Sequence, residues 1–232
     1  MERQFELHIE KLKSRIIRMS SLVEEQVEFA IKSVVEENSE LAKMVIERDS
    51  KVNKLDRKIE KTCQKIIALN QPVAMDLRLI LSALTINTNL ERIGDLARNI
   101  SLSFLSMQKK PPFINDTKLN EMSSVVKMMI KEAIDSFNNN DPKLAKKVIE
   151  TDVQLDNLFK ENRLILVGLM KADTNNIDGA LCLLEISRHL ERLGDHSTNI
   201  AEDVYFIVEA QLIKHKYEQF IYSELDDDEA EE

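Results

Sequence analysis

Two short segments of this sequence place a pair of carboxylates one helical turn apart with a glycine between them. They are Glu91 and Asp95 in LERIGDLARNI, and Glu191 and Asp195 in LERLGDHSTNI. Asp152 and Asp156 repeat the same spacing, and Asp49 stands four residues before Asn53. On a helix, side chains four apart share one face. Like charges so placed destabilise an isolated helix by roughly 0.2–0.5 kcal/mol, and a glycine in a helix interior costs about 1 kcal/mol relative to alanine. Gly94 and Gly194, two of only four glycines in the chain, stand inside these acid pairs. An unfavourable local choice made twice points to a role that outweighs helix stability. Clustered carboxylates offer hard oxygen ligands, suited to Mg, Mn, Ca or ferric iron. The plainer alternative is surface salt bridging, because Arg92 and Arg98 flank the first pair and Arg188 and Arg192 the second. The glycines serve either close helix packing or the approach of a ligand.

Other catalytic patterns are missing. His8, His189, His196 and His215 show no Glu-x-x-His spacing, which argues against a ferritin-like di-iron oxidase. The sequence holds no Gly-rich phosphate loop, nucleophile elbow or Cys/His pair. Cys63 and Cys182 are too few and too far apart for a disulfide framework or a zinc knuckle, and are expected as buried thiols within helices. Nothing here demands an enzyme.

The elements that must position the acids come in two copies. LERIGDLARNI (Leu90 to Ile100) recurs as LERLGDHSTNI at an offset of 100. LAKMVIERD (Leu41 to Asp49) recurs as LAKKVIETD, and MSSLV at Met19 as MSSVV at Met122, both at an offset of 103. Three collinear matches mean a duplicated unit. In the first unit, Phe5, Ile9, Leu12, Ile16, Met19, Val23, Val27, Ala30 and Val34 step by three or four, the mark of a helix with one apolar seam. A second helix carries Leu41, Val45, Val52, Ile59 and Ile66 and ends near Pro72. A third carries Ile86, Leu90, Ile93, Ala97, Ile100 and Phe104 and ends before Pro111-Pro112. The second unit repeats the plan, with Pro142 at a tolerated first-turn position, a polar turn at Asp173 to Asn176, and a last helix expected to run to about Lys216.

The expected fold is therefore all-α, two tandem antiparallel three-helix bundles related by internal duplication. Residues 1–110 form the first bundle and 116–222 the second. At roughly 100° per residue, Glu91 and Asp95 fall on the face opposite the apolar seam of their helix. Asp49/Asn53 and Asp152/Asp156 flank the seam of the preceding helix. Antiparallel packing would gather two to four carboxylates at a bundle surface.

Composition narrows the class. With 4 Gly and 4 Pro in 232 residues, the turns of a β-sandwich or a doubly wound α/β fold are lacking. Of the net charge of −9, most belongs to the last ten residues, SELDDDEAEE, which carry seven acids; the remainder holds 34 acids against 32 bases. Residues 223–232 are thus expected as a disordered acidic tail. A near-neutral body without a basic stripe is not expected to bind nucleic acid. No stretch reaches 18 apolar residues and the start lacks an apolar h-region, so neither a membrane span nor a secretory signal is expected. A soluble cytoplasmic protein follows.

At the paired ERIGD and ERLGD segments, at LAKMVIERDSKVN and LAKKVIETD, and at QPVAMDLRLI, the chain resembles the PhoU family of bacterial phosphate-signalling proteins. The resemblance covers about residues 5–220. It implies two tandem three-helix bundles and E(D)xxxD motifs that hold metal clusters on the bundle surface, iron first, with Mg, Mn, Zn or Ca as alternatives. By position those ligands are Glu91, Asp95 and Asp49 in the first half, and Glu191, Asp195, Asp152 and Asp156 in the second. Asn53 replaces one charged ligand and weakens the first site. The resemblance further implies a non-catalytic cytoplasmic regulator that restrains phosphate uptake and the phosphate-starvation response. Its implied partners are the ATPase subunit of the phosphate ABC transporter and a sensor histidine kinase, with recruitment through them to the inner face of the membrane; a homodimer is expected. The alternatives are a metal-dependent hydrolase built on the acidic clusters, and a metal-free helical adaptor.

Overall fold

The computed structural model describes residues 2–107 and 110–213. Among them six α-helices carry most of the chain, and no strand occurs: α1 Glu2–Val35, α2 Ser39–Asn70, α3 Ala74–Ser106, α4 Leu119–Asn139, α5 Pro142–Ala172 and α6 Ile177–Glu209. Local chemistry sets their ends. Asn38 accepts from the N–H groups of Glu40 and Leu41 at the start of α2, and Asp141 does the same for Lys143 and Leu144 at the start of α5. Pro142 occupies the first turn, where its missing N–H costs nothing. At the end of α2, Gln71 turns left-handed (φ 48°) and returns its N–H to the Ile67 carbonyl.

The last helix is shorter than its periodicity suggests. It stops at Glu209, where Ala210 turns left-handed (φ 56°), instead of running on toward Lys216. The turn brings Ile213 back into apolar surroundings, where it is 9% exposed, and burial of that side chain competes with another turn of helix. Lys216 itself, the end of the second unit and the acidic tail at 223–232 lie outside the described residues.

Each set of three helices packs as an up-down-up bundle. Arg15 on α1 reaches Lys58 and Thr62 on α2, and Asn87 on α3 reaches back to Asp56 on α2, so neighbours run antiparallel. In the second set, Lys147 on α5 meets Glu132 on α4, and Asn162 on α5 donates to Ser187 on α6. The α1 seam of Leu12, Ile16, Met19, Val23, Val27 and Ala30 is fully buried. The two bundles then share one core, through α3 against α6 and α1 against α4. Across that join Asn89 Oδ1 lies 2.9 Å from His196 Nδ1. Among the described residues no helix is long and apolar enough to cross a membrane.

The two cysteines differ. Cys63 is fully buried, and burial pushes its thiol up to about 11. Cys182 is only half-buried, a correction to the expectation of two buried thiols. It sits on α6 beside the Pro111-Pro112 connection, where a cleft keeps one side open.

One buried residue stands out by comparison with its own duplicate. Gln26 is fully buried on α1, and neither atom of its amide has a hydrogen-bond partner. At the matching position of the second unit stands Met129, also fully buried. An unsatisfied buried amide costs about 1–3 kcal/mol, whereas methionine fills the same volume without polar atoms. Gln26→Met is therefore expected to raise stability by about 1–2 kcal/mol, read as a higher midpoint in urea. A lowered midpoint would mean that the amide is satisfied in solution.

Candidate functional site

The register of each antiparallel pair gathers the acids on one side of its bundle. In the first half, Asp49 and Asp56 on α2 come within electrostatic reach of Glu91 and Asp95 on α3. In the second, Asp152 and Asp156 on α5 meet Glu191 and Asp195 on α6. All seven acids singled out in the sequence are thus brought together, four of them on the second face and three on the first.

Their exposure differs from the helical-wheel expectation. Glu91 and Asp95 do not stand on a free opposite face: their side chains are 24% and 35% exposed. The physical reason is that α3 is covered by α1, α2 and α6 together, which leaves only a narrow strip open. The carboxylates border that strip.

Burial and mutual repulsion set their titration. Burial first, then the Asp95 charge, raise Glu91, with Asp56 and Asp49 adding to it and Arg92 opposing. The same two causes raise Asp49, while Arg98 and a 2.9 Å hydrogen bond from the Asn53 amide lower it. In the second half Asp152 is raised to about 7, by burial and then by Asp156 and Asp195. Glu191 is raised by burial, Asp195 and Asp156. Asp195 is raised by burial and Asp156 too, although the residue as a whole reaches the open face.

The two faces are unequal. On the first, Arg92 stands 3.6 Å from both Glu91 and Asp95, and Asn53 supplies a donor to Asp49. Salt bridging, the plainer reading of the motif, therefore holds in part there. On the second, Asp152 Oδ1 is buried with no hydrogen-bond partner, and so is Thr198 Oγ1. The Thr198 hydroxyl is near enough to lower the Asp152 carboxyl, but its geometry does not make a hydrogen bond. A buried hydroxyl and a buried Asp152 oxygen without partners, with three further carboxylates beside them, are the chemistry a hard cation satisfies. Among the described residues no three His, Cys, Asp or Glu side chains converge closely enough to hold a metal ion as they stand. Each face is a gathering of repelling charges rather than a closed coordination shell, and the donor set of the second fits a cation better.

The glycines have a packing role. A Cβ on Gly94 would meet Val52 Cγ1 at 3.3 Å and Gln26 Oε1 at 3.4 Å. On Gly194 it would collide with Leu155 Cδ2 and come within 3.3 Å of Asp152 Oδ1. Close approach of helices is thus what places the acids side by side. Sequence reasoning missed Asp56, which joins the first face and accepts a 2.6 Å hydrogen bond from Asn87, and Thr198. Asp56 does form an i,i+4 pair with Glu60, but that pair carries no glycine, and Thr198 is no acid. The duplication could not have found Asp56 either, because Phe159 occupies its matching position.

A pH dependence follows from Asp152. Its native proton affinity (about 7) exceeds its ordinary value of 3.8, so the native state holds the proton more tightly than the unfolded chain. The stability this group contributes is full below about pH 4 and is lost as pH rises through about 7. His189 and His196 are lowered, chiefly by burial, and act in the opposite sense. The expected result is therefore a difference. In chelator, Asp152→Asn should gain thermal stability over wild type as pH goes from about 5 to 8. Parallel melting curves across that range would remove Asp152 as the responsible group.

The PhoU domain family matches residues 16–103 and again 119–204. The chain is 37% identical over 209 residues to a phosphate-specific transport system accessory protein PhoU homolog of Aquifex aeolicus, covering 90% of this chain and 95% of that one. It is 34% identical over 216 residues to the homolog of Pseudomonas aeruginosa, covering 93% and 89%. Among solved structures, PhoU from Pseudomonas aeruginosa superposes with a TM-score of 0.86 at 34% identity, over 89% of this chain and all of that one. The phosphate transport system regulatory protein PhoU from Streptococcus pneumoniae superposes with a TM-score of 0.84 at 26% identity, over 90% and 99%.

Proposed function

The chain belongs to the PhoU family, and from that premise we propose that it is a non-catalytic cytoplasmic regulator of phosphate uptake. It restrains the phosphate ABC transporter through the ATPase subunit and holds the phosphate-starvation response off through a sensor histidine kinase. Those contacts recruit it to the inner face of the membrane, and it acts as a homodimer. What carries the reading is that the family match runs through both units and spans 95% of a relative described as an accessory protein of phosphate-specific transport. The descriptions of the relatives as accessory and regulatory proteins support an adaptor rather than a catalyst.

The carboxylate faces enter this reading as metal sites. Asp152, Asp156, Glu191 and Asp195 would hold a cation on the second face; Asp49, Glu91 and Asp95 would hold one more weakly on the first. Iron is favoured by the family resemblance, with Mg, Mn, Zn or Ca as alternatives. The ion would supply charge neutralisation, turning a repelling acidic strip into a defined surface for a partner.

The test is complementation of a deletion strain grown in high phosphate. Deletion is expected to leave phosphate-starvation genes on, and the wild-type chain to switch them off. Truncation at Ser223 should retain repression, because seven like charges without apolar anchors contribute little to a contact. Alanine pairs at Glu91/Asp95 and Glu191/Asp195 should each weaken repression. Full repression by every variant, both pairs combined included, would remove the acids from the mechanism. Normal repression in the deletion strain itself would sink the regulatory reading.

A further inference from the structure

A cleft of about 220 Å³ opens between α1 and α2, and its lining is basic. His8, Lys11 and Arg15 come from α1; Lys61, Lys65 and the buried Thr62 come from α2. No acidic side chain is among the lining residues. Lys11 with Arg15, and Lys61 with Lys65, are like charges four apart on their helices, the unfavourable spacing that marked the acid pairs. Among the described residues none of these four cations closes an ion pair with a carboxylate.

The cleft is also partly organised. Arg15 Nη1 donates to the Lys58 carbonyl at 3.0 Å and to the Thr62 hydroxyl. Those bonds orient the guanidinium and leave its other N–H groups uncommitted. His8 Nδ1 is buried without a hydrogen-bond partner. A fork of N–H donors fixed in place, flanked by ammonium groups, is the arrangement that recognises phosphate oxygens.

The duplication supplies an internal control. Where the first unit has Lys11, Arg15, Lys61, Thr62 and Lys65, the second has Ile114, Lys118, Leu164, Ile165 and Gly168. The one cation kept, Lys118, is neutralised by Glu121 at 2.9 Å and Glu161 at 3.9 Å. The basic cleft is therefore a property of one unit and not a requirement of the fold. It also differs from the carboxylate face, which uses the α3 side of α2, whereas the cleft uses the α1 side.

We propose that the α1/α2 cleft binds a multiply charged phosphoryl anion, with Arg15 as the oriented fork and Lys11, Lys61 and Lys65 as the surrounding charge. The chemistry is shared by a free phosphate species and by the headgroup of an anionic phospholipid. The inference rests on the cleft and not on the regulatory reading, so either can fail alone.

The experiment uses the full chain, first dialysed against chelator and then into chelator-free buffer so that the carboxylate faces carry no metal. One arm titrates inorganic phosphate and pyrophosphate by calorimetry; the other sediments the protein with phosphatidylcholine vesicles, with and without phosphatidylglycerol. Lys61→Gln/Lys65→Gln is compared with Lys143→Gln/Lys171→Gln, an exposed pair of equal charge in the second unit. The cleft pair is expected to weaken binding at least about tenfold and the control pair by less than about twofold. Arg15→Lys keeps the charge, loses the fork, and should weaken binding by about threefold or more. Binding in the first arm identifies a soluble anion, and binding only to phosphatidylglycerol vesicles identifies a headgroup. No binding of any probe up to about 10 mM, or equal losses in the two lysine pairs, would overturn the proposal. Unchanged melting temperatures of the variants verify that they are folded.

Discussion

Leu155→Ala is expected to destabilise this protein by about 2–5 kcal/mol, the range for truncating a buried leucine. Leu155 is fully buried on α5, one turn after Asp152 and next to Asp156, and its Cδ2 occupies the space a side chain on Gly194 would need. For a chain of this size each 1 kcal/mol moves the melting temperature by about 2–4 °C, so the loss is easily read. Gly194→Ala is expected to be milder. Overpacking costs about 1–3 kcal/mol, and alanine returns about 1 kcal/mol of helix propensity. The informative result is the double variant. With Leu155 shortened, the new methyl enters the space it vacated, so the pair should lose about 1 kcal/mol or more less than the sum of the single losses. Additive losses would show that the glycine is there for some other reason, such as the approach of Asp152 Oδ1, which would stand 3.3 Å from the added carbon.

The second large effect is thermal. Wild-type protein loaded with the cation it binds should melt higher than the same protein in chelator, because an ion that binds only the native state adds stability by mass action. At a free concentration of about 100 times Kd the gain is about 2.7 kcal/mol, or about 5–11 °C here. Glu191→Ala with Asp195→Ala should abolish most of that shift. The same pair should raise the stability of the metal-free protein, since it removes two charges from a face where four repel. Glu91→Ala with Asp95→Ala should remove less of the shift, because Arg92 and Asn53 already offset part of the first face. Identical melting of the wild type with and without chelator would remove the metal reading from both faces and leave salt bridging with Arg92 as the account of the first.

The helices were legible in the chain because what forms them is local. Apolar residues recurring every three or four positions mark a buried stripe, and Pro142 marks a start because a first turn makes no use of its missing N–H. The exception at Glu209 is instructive: the pattern continues, but burial of Ile213 bends the chain. Six of the seven acids were legible for a similar reason, since i,i+4 spacing places charges together whatever the helix packs against, and Asp49 through its match to Asp152 in the repeat. Asp56 was not, because it reaches Glu91 only through the register of α2 on α3.

Residue order by itself therefore determined that this is a duplicated helical protein with paired carboxylates in each copy. Both facts depend on interactions spanning a few residues, and the repeat writes them twice. The tertiary structure alone decided how those pairs behave. Packing of α6 on α3 joins two bundles into one core and leaves the acids at the edge of a narrow open strip. Helix approach at Gly94 and Gly194 sets how near the carboxylates stand. Burial, which no single helix possesses, raises Asp152 to about 7. The same spacing yields a partly neutralised face in one half and a face with orphaned oxygens in the other. That difference arises from which side chains distant in the chain meet across a helix pair, and low-dielectric surroundings amplify it.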